Sequence, residues 1–250
     1  MVILKTAREL KAMREAGRIS AGALRMAGQA VEPGVTTLEI DTIVRSYIEK
    51  QGATPSFLGY GGFPASACIS VNNVVIHGIP SSRQKLKAGD IVSIDVGAKF
   101  NGYHGDNAYT FACGDVSREA RELMDATREA LMQGISKAVA GNRLGDIGSA
   151  VQRYVEARSY SVVRDFVGHG VGAKLHEDPS VPNYGTPGRG VRLLPGMTIA
   201  IEPMVNQGTH RVRVLDDKWT TVTADRKLSA HFEHTIAITP DGPVIMTLPE

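Results

Sequence analysis

Five side chains of this 250-residue chain are of the types that hydrolytic metal sites use. Four carboxylates carry enough negative charge to neutralise two divalent cations, and bridging carboxylates suit metals about 3.5–4 Å apart. Oxygen-rich ligation with one imidazole fits Mn, Fe(II), Co or Zn and differs from a cysteine-based structural zinc site. The set therefore predicts a two-metal hydrolytic site built from Asp95, Asp106, His169, Glu202 and Glu233.

The two aspartates lie on adjacent predicted strands. Alternation in Ile91–Gly97 places Ser93 and Asp95 on one face. The return segment 102–108 contains Asp106, and a glycine-containing hairpin would bring this residue beside Asp95. Either acid taken alone fits an ordinary solvent-facing strand position. Two of them in an apolar setting are costly unless cations or protons neutralise them, so the pair favours a metal site.

The second half of the chain supplies the other three candidates. His169 stands between two glycines after the predicted strand 161–167, which leaves the imidazole accessible at the strand end. Glu202 ends an apolar alternation, and Glu233 lies within the apolar run 231–238. A hydrogen-bonded core histidine remains the alternative interpretation of His169 when that residue is considered by itself.

The elements that must position these side chains form a mixed pattern. Helical periodicity marks four segments, which begin near Thr6, Thr36 and Ser117 and ahead of Ile147. Thr6 and Thr36 are each followed three residues later by glutamate, which is typical of a capping box. Strand-like runs fall between the helices, at 67–71, 91–96, 108–112, 161–167, 198–202 and 231–238. The pattern predicts an α/β (α+β) chain.

An internal repeat organises these elements. Gly34–Glu49 aligns with Gly141–Glu156, and Leu86–Asp95 aligns with Leu193–Glu202, both at an offset of 107 residues. Chance similarity between amphipathic segments is the alternative, but one offset at two separated places favours duplication of a helix–helix–sheet unit. We expect two halves related by a pseudo-two-fold axis around a central, largely antiparallel sheet. Both copies deliver an acid at the same strand position.

Composition is that of a folded soluble protein, and the length of 250 residues allows one large domain or two small ones. Hydrophobic residues make up 42% and charged residues 22%, and the net charge of +2 argues against phosphate-dominated, sequence-specific nucleic-acid binding. Cys68 and Cys113 are too few for a disulfide framework. The sequence shows neither a signal peptide nor an apolar membrane span, so we expect a cytoplasmic protein without a membrane partner. The domain is predicted to span 1–250, with halves 1–113 and 114–250.

Seven segments resemble the type I methionine aminopeptidases, whose fold is the pita-bread arrangement. The resemblance covers nearly the whole chain and aligns all five metal positions. The matching segments are Val74–Pro80, Ser93–Gly97, Gly105–Ala108, Gly168–Gly172, Leu175–Pro179, Ile201–Pro203 and Phe232–Thr235. It implies removal of the N-terminal initiator methionine from nascent proteins and peptides by hydrolysis of the first peptide bond, with preference for a small second residue.

The resemblance also implies a role for each matching residue. Asp95 would bind one metal and His169 and Glu202 the other, while Asp106 and Glu233 would bridge the two. Glu202 would additionally act as a catalytic proton shuttle. His77 and His176 match the two catalytic histidines that bind substrate without binding metal. The methionine pocket would be formed by Tyr60, Phe63, Cys68, His77 and Trp219, with Phe57 and Leu175 nearby.

Further implications concern partners and alternatives. The resemblance implies a monomer that acts on nascent chain N-termini, and it allows contact with the ribosome near the exit tunnel and a monovalent cation near Asn72, Val74 and Ser229. A proline-specific dipeptidase or aminopeptidase of the same fold remains one alternative, although such enzymes usually carry an additional N-terminal domain. A non-catalytic ribosome- or RNA-binding relative is the other, against which the complete ligand set argues.

Overall fold

A computed structural model describes residues 1–249. Its helices begin where the sequence predicts. The Thr6 hydroxyl accepts the Glu9 backbone N–H while the Glu9 carboxylate accepts the Thr6 N–H at 2.8 Å, and Thr36 and Glu39 repeat this capping box. The reciprocal bonds satisfy N–H groups that have no partner within the helix. The four α-helices are α1 (Ala7–Gln29), α2 (Thr37–Lys50), α3 (Arg118–Ser136) and α4 (Leu144–Glu156).

Fifteen strands occur within residues 1–249, and every pairing between them there is antiparallel. In chain order they are β1 (Thr54–Pro55), β2 (Ala67–Val71), β3 (Val74–Ile76), β4 (Ile91–Phe100), β5 (Tyr103–Ala112), β6 (Ser161–Val162), β7 (Gly168–Gly170), β8 (Glu177–Val181), β9 (Thr198–Ile201), β10 (Met204–Asn206), β11 (Val212–Val214), β12 (Thr221–Thr223), β13 (Ser229–His231), β14 (His234–Thr239) and β15 (Gly242–Ile245). A 3₁₀ turn spans Tyr60–Gly62. The largest sheets have the orders β1-β4-β2, with β5 on the other edge of β4, and β15-β14-β9-β7-β8.

The hairpin of β4 and β5 is longer than the sequence predicts. The sequence predicts strands over 91–96 and 108–112, but the two strands pair continuously from Ile91 opposite Ala112 to Phe100 opposite Tyr103. A two-residue turn with positive φ at both positions, Asn101 (48°) and Gly102 (84°), lets the ladder run to its end. The hairpin thus carries both aspartates on one regular surface.

Two predicted strands are wrong in extent. The run 161–167 forms a strand only at Ser161–Val162, because Arg164 and Asp165 are exposed in a bend before β7 begins. The run 231–238 divides into β13 and β14, because the backbone at Glu233 leaves its own sheet and bonds to β5. Both interruptions lie at or near predicted metal ligands: the first precedes His169, and the second is at Glu233.

The sequence repeat is present in the backbone hydrogen bonds. The Gly34 N–H donates to the Leu86 carbonyl at 2.8 Å, and the Gly141 N–H donates to the Leu193 carbonyl at 2.9 Å, again 107 residues apart. Both glycines have φ near 95° (95° and 96°), a conformation that disfavours other residues. Each copy therefore anchors the turn before a helix, α2 or α4, to the loop before a strand, β4 or β9.

Two main cores each pack two helices on a sheet. One core packs α1 and α2 on β2 and β4, and the other packs α3 and α4 on β9 and its neighbours. The division at residue 113 and a single catalytic domain over 1–250 stay predictions. Within residues 1–249, no helix has the length and apolar character needed to cross a membrane.

The seam between the halves is a line of hydrogen bonds from β5 to the segment around Glu233. The Glu233 N–H donates to the Ala108 carbonyl at 2.9 Å. The Thr235 hydroxyl donates to the Asp106 carbonyl at 2.8 Å, and the Thr110 hydroxyl donates to the His231 carbonyl at 2.8 Å. The seam fixes the position of Asp106 relative to Glu233.

Candidate metal centre

The β4–β5 hairpin places the two aspartates on one face. Asp95 lies opposite Ala108, and Asp106 lies opposite Gly97, so the two acids are diagonal neighbours across the ladder. The absence of a side chain at Gly97 leaves room over that face, where a Cβ would come within 2.7 Å of Phe57 and Ser56 atoms. The face points toward the seam rather than toward bulk solvent, and Asp106 is only 3% exposed.

The second half brings its three candidate ligands to the same place. One ligand atom from each of Asp106, His169 and Glu233 lies within 4.8 Å of the others. His169 Nε2 is 3.5 Å from Glu202 Oε1 and 3.7 Å from Asp106 Oδ2. Asp95 faces the same cavity. The structure therefore brings together all five side chains that the sequence indicated, from five separate segments.

Burial makes the charged forms of these groups unfavourable without cations. It raises the pKa of Asp106 to about 7. It also raises the pKa of Asp95, Glu202 and Glu233 well above the usual values, and repulsion from Asp106 adds to the shift of all three. Bound cations reverse this situation, because their positive charge stabilises the carboxylates. Four acids in one buried site therefore need positive charge to remain ionised.

The donor atoms fit divalent metals. Asp95 Oδ1, Asp106 Oδ1 and Glu233 Oε1 are buried and have no hydrogen-bond partner among residues 1–249, which leaves their lone pairs for a cation. The His169 Nδ1 donates to the Gly170 carbonyl at 2.9 Å, so the lone pair of Nε2 faces the acids. Burial lowers the pKa of His169 to about 3, which keeps the imidazole neutral and able to bind a metal.

Two further histidines flank the acids. His77 follows β3 with φ of 58°, and its ring lies edge-on to Phe166 and Trp219 at centroid distances of 5.6 and 6.1 Å. His176 lies 4.1 Å from the His169 ring and forms a 2.7 Å hydrogen bond between Nδ1 and the Tyr60 hydroxyl. Burial lowers the pKa of His77 to about 4 and also lowers that of His176, so both rings are neutral near pH 7.

A cavity of about 240 Å³ joins these groups to an apolar wall. The wall is rigid because Phe57, Phe63, Cys68 and Leu175 are each at most 8% exposed and pack as one cluster. Every predicted ligand, catalytic histidine and pocket residue lines the cavity: Asp95, Asp106, His169, Glu202, Glu233, His77, His176, Tyr60, Phe63, Cys68, Trp219, Phe57 and Leu175. The arrangement can hold a medium-sized apolar side chain beside a metal pair.

Sequence reasoning missed part of this site. Gly61, Ile76, Phe166 and Val167 also line the cavity. Ile76 precedes His77, and Phe166 and Val167 precede the Gly-His-Gly segment, but the apolar run 161–167 predicts a buried strand and indicates no functional role. His231, two residues before Glu233, is also not among the predicted site residues. Its Nε2 is buried without a hydrogen-bond partner in the described chain, 3.7 Å from Glu202 Oε2.

Known proteins show the same chain architecture. The sequence profile described as metallopeptidase family M24 matches residues 11–240. The chain belongs to metallopeptidase family M24. Membership implies divalent metal ions, in agreement with the donor set, and it confirms the predicted class of metal-dependent hydrolase.

Relatives within family M24 define the resemblance further. The methionine aminopeptidase of Clostridium perfringens is 58% identical over 99% of both chains. The crystal structure of methionine aminopeptidase from Thermotoga maritima superposes with a TM-score of 0.98 at 47% identity, covering 99% of this chain and 100% of that one. The prolidase of Pyrococcus horikoshii superposes with a TM-score of 0.81 at 25% identity, and this chain covers 65% of its length. The predicted resemblance and the pita-bread fold are confirmed.

Proposed function

We infer that this M24 peptidase removes N-terminal methionine from polypeptides by hydrolysis of the first peptide bond. The supporting observation is the cavity that has five potential metal ligands on one side and a rigid apolar wall on the other. High identity to methionine aminopeptidases over the full length agrees with this function. Burying a methionine side chain contributes about 1.5–3 kcal/mol. Peptides whose first residue has a shorter side chain would therefore have a kcat/KM roughly 10–200-fold lower.

The ligand assignment is part of this proposal. Asp95 would hold one metal, His169 and Glu202 would hold the other, and Asp106 and Glu233 would serve both. The mixture of oxygen donors with one imidazole suits Mn, Fe(II), Co or Zn. When bound, such a pair acts as a Lewis acid and lowers the pKa of a water toward about 7.

The other polar groups move protons and position the substrate. Glu202 takes a proton from the attacking water and delivers it to the leaving amine. Its carboxylate lines the cavity, and its Oε1 lies 3.5 Å from His169 Nε2. His77 and His176, neutral near pH 7, donate N–H hydrogen bonds to the developing oxyanion and to the peptide. Tyr60 donates to the His176 Nδ1 and so leaves the Nε2 proton available for this role.

A monovalent cation near Asn72, Val74 and Ser229 is a smaller part of the proposal. Asn72 adopts a left-handed conformation with φ of 57°, and its carbonyl accepts the Ser229 N–H at 2.9 Å. This bond places the turn between β2 and β3 beside β13, and backbone carbonyl oxygens are the type of donor that such a cation uses. Its expected role is to stabilise the approach of β3 to β13.

The proposed substrates are the N-termini of nascent polypeptides in the cytoplasm. The protein would act on them as a monomer near the ribosomal exit tunnel. The hairpin of β11 and β12 carries Trp219 at the cavity, and its turn and flanks expose basic side chains. The exposed Asp217 carboxylate accepts the N–H groups of Trp219 and Thr220 and so stabilises the turn that carries these side chains. The exposed basic residues are Arg211, Arg213, Lys218, Arg226 and Lys227.

The deciding experiment compares two peptides with enzyme loaded with Mn or Co. We expect rapid release of methionine from Met-Ala-Ser and much slower opening of an X-Pro bond. The reverse preference would support the proline-specific alternative. No turnover with any divalent metal would support a non-catalytic binding protein.

A further inference from the structure

A second cavity adjoins the candidate active site. It has a volume of about 450 Å³ and shares Tyr60 and His176 with the metal cavity. Its other lining residues come from the segment around Ser56, from the β4–β5 hairpin and from the loop between β7 and β8. The complete lining is Pro55, Ser56, Leu58, Gly59, Tyr60, Lys99, His104, Ala173, Lys174 and His176. We call this cavity the Lys99–Lys174 groove.

The charge of the groove is opposite to that of the metal cavity. The groove is lined by two lysines and by no acid, whereas the metal cavity is lined by four acids and no lysine or arginine. Burial, with a contribution from Lys99, lowers the pKa of His104 to about 4, so this ring adds no charge near pH 7. The positive potential of the groove therefore comes from Lys99 and Lys174.

Neither lysine is neutralised by a neighbouring acid. Both side chains are exposed, and within residues 1–249 neither ammonium lies within 4.0 Å of a carboxylate. Glu177 is close in sequence to Lys174, but its carboxylate pairs with Lys5 at 2.5 Å and is almost fully buried. The two ammonium groups thus remain available to a ligand.

The floor of the groove is rigid and polar. Ser56 and His104 are 8% and 7% exposed, and the Ser56 hydroxyl is 2.8 Å from the His104 Nδ1. The backbone N–H of His104 donates to the Gly172 carbonyl at 2.9 Å, which ties the hairpin to the loop that carries Lys174. The groove is therefore preformed, with Lys99 on the β4–β5 hairpin and Lys174 on the loop between β7 and β8.

We propose that the Lys99–Lys174 groove binds the substrate beyond its second residue and favours acidic side chains there. The inference rests on the proposed function, since it needs a polypeptide with its first residue in the metal cavity. His176 borders both cavities, so a chain whose scissile bond lies at His176 can continue directly into the groove. A carboxylate at the third, fourth or fifth residue would then face the two ammonium groups.

The test uses pentapeptide amides that begin Met-Ala, with Ser, Glu or Lys at each of the three following positions. Amidation removes the terminal carboxylate, so any effect comes from the side chain. Exposed ion pairs are weak, and we expect Glu at one position to raise kcat/KM by about two- to fivefold over Ser, mainly through KM, and Lys to lower it similarly. The difference in kcat/KM should be present at about 0.01 M salt. It should be absent at about 1 M salt, where the Debye length is only about 3 Å.

Charge reversal identifies the groove. The double variant Lys99→Glu/Lys174→Glu should reverse the order of the Glu and Lys peptides. The matched control is Lys50→Glu/Lys137→Glu, which makes the same change in net charge at exposed positions outside the groove and should keep the original order. Equal rates on Glu and Lys peptides, or an equal effect of the control variant, would overturn the inference. Failure to release methionine even from the Ser peptide would instead overturn the proposed function, and the inference with it.

Discussion

Lys5 Nζ lies 2.5 Å from Glu177 Oε2, and only 3% and 5% of the two side chains are exposed. The ammonium also donates to the Ile3 carbonyl at 3.1 Å, and Glu177 Oε1 accepts the Lys174 N–H at 3.1 Å. Gly172 makes the approach possible, because a Cβ there would come within 2.4 Å of Glu177 Oε1. The pair ties the segment before α1 to the loop that carries His176.

Replacing Lys5 by Met should destabilise the protein. The variant leaves the Glu177 carboxylate buried without its partner, and loss of one member of a buried pair costs about 3–5 kcal/mol. Urea unfolding followed by circular dichroism measures the loss. Lys11→Met, at an exposed position of α1, is the matched control and should change stability little. Lys5→Met/Glu177→Gln should recover part of the loss, and equal stability of Lys5→Met and Lys11→Met would contradict the argument.

Replacing Tyr60 by Phe should reduce turnover more than binding. The aromatic ring remains in the cavity wall, but the hydrogen bond to the His176 Nδ1 is lost. One such bond contributes about 0.5–1.5 kcal/mol, so kcat should fall about two- to tenfold with a smaller change in KM. Steady-state rates on Met-Ala-Ser give both constants. Tyr154→Phe, on α4, is the control; a rise in KM with unchanged kcat would assign Tyr60 to binding alone.

Asp106→Asn and Glu233→Gln should each abolish metal-dependent activity and leave the fold intact. Both substitutions remove a buried negative charge from the proposed bridging positions and keep the side-chain shape. Metal analysis of the dialysed variants should find fewer divalent ions per chain than in the unaltered protein, with the same far-ultraviolet circular dichroism. Glu49→Gln, exposed on α2, serves as the control. Wild-type rates in either variant would refute the bridging roles.

Glu9→Gln should weaken the protein in a pH-dependent way. Hydrogen bonds from the Thr6 backbone, the Thr6 hydroxyl and the Tyr103 hydroxyl lower the pKa of Glu9 to about 2. The folded-state pKa lies below the ordinary value of 4.5, so the stabilisation is present above about pH 4.5 and is lost as the pH falls toward 2. The Tm difference between wild type and variant should be constant from neutral pH to about 4.5 and shrink below it. Glu15→Gln, on the same helix, removes a carboxylate outside the capping box and serves as the control.

The helices could be predicted closely from the sequence because local signals determine their ends. A capping box is recognised from four consecutive residues, and the boxes predicted at Thr6 and Thr36 are both present in the structure. Strand extents were less predictable, since the apolar alternation of β4 and β5 weakens near Gly97 and Gly105 while the ladder continues. The hydrogen bonds near these glycines depend on pairing between the two strands, which a local sequence pattern does not predict.

The residues of the candidate site also differ in how far the sequence indicates them. Acids that end or interrupt apolar strands are anomalous in the sequence itself, and the repeat at 107 residues linked Asp95 with Glu202. Phe166 and Val167 carry no such signal, because an apolar residue in an apolar run is also what a buried strand contains. The groove at Lys99 and Lys174 was likewise hidden, since two lysines 75 positions apart become neighbours only when the hairpin meets the loop after β7.

The seam has a mechanical consequence. Asp95 and Asp106 belong to the first half, and the other three proposed ligands belong to the second, so neither half carries a complete set. Ions bound by both sets of ligands would link the two parts of the chain. A chain nicked in the exposed connection at Gly114–Asp115 should therefore stay associated while loaded and come apart more readily after chelation.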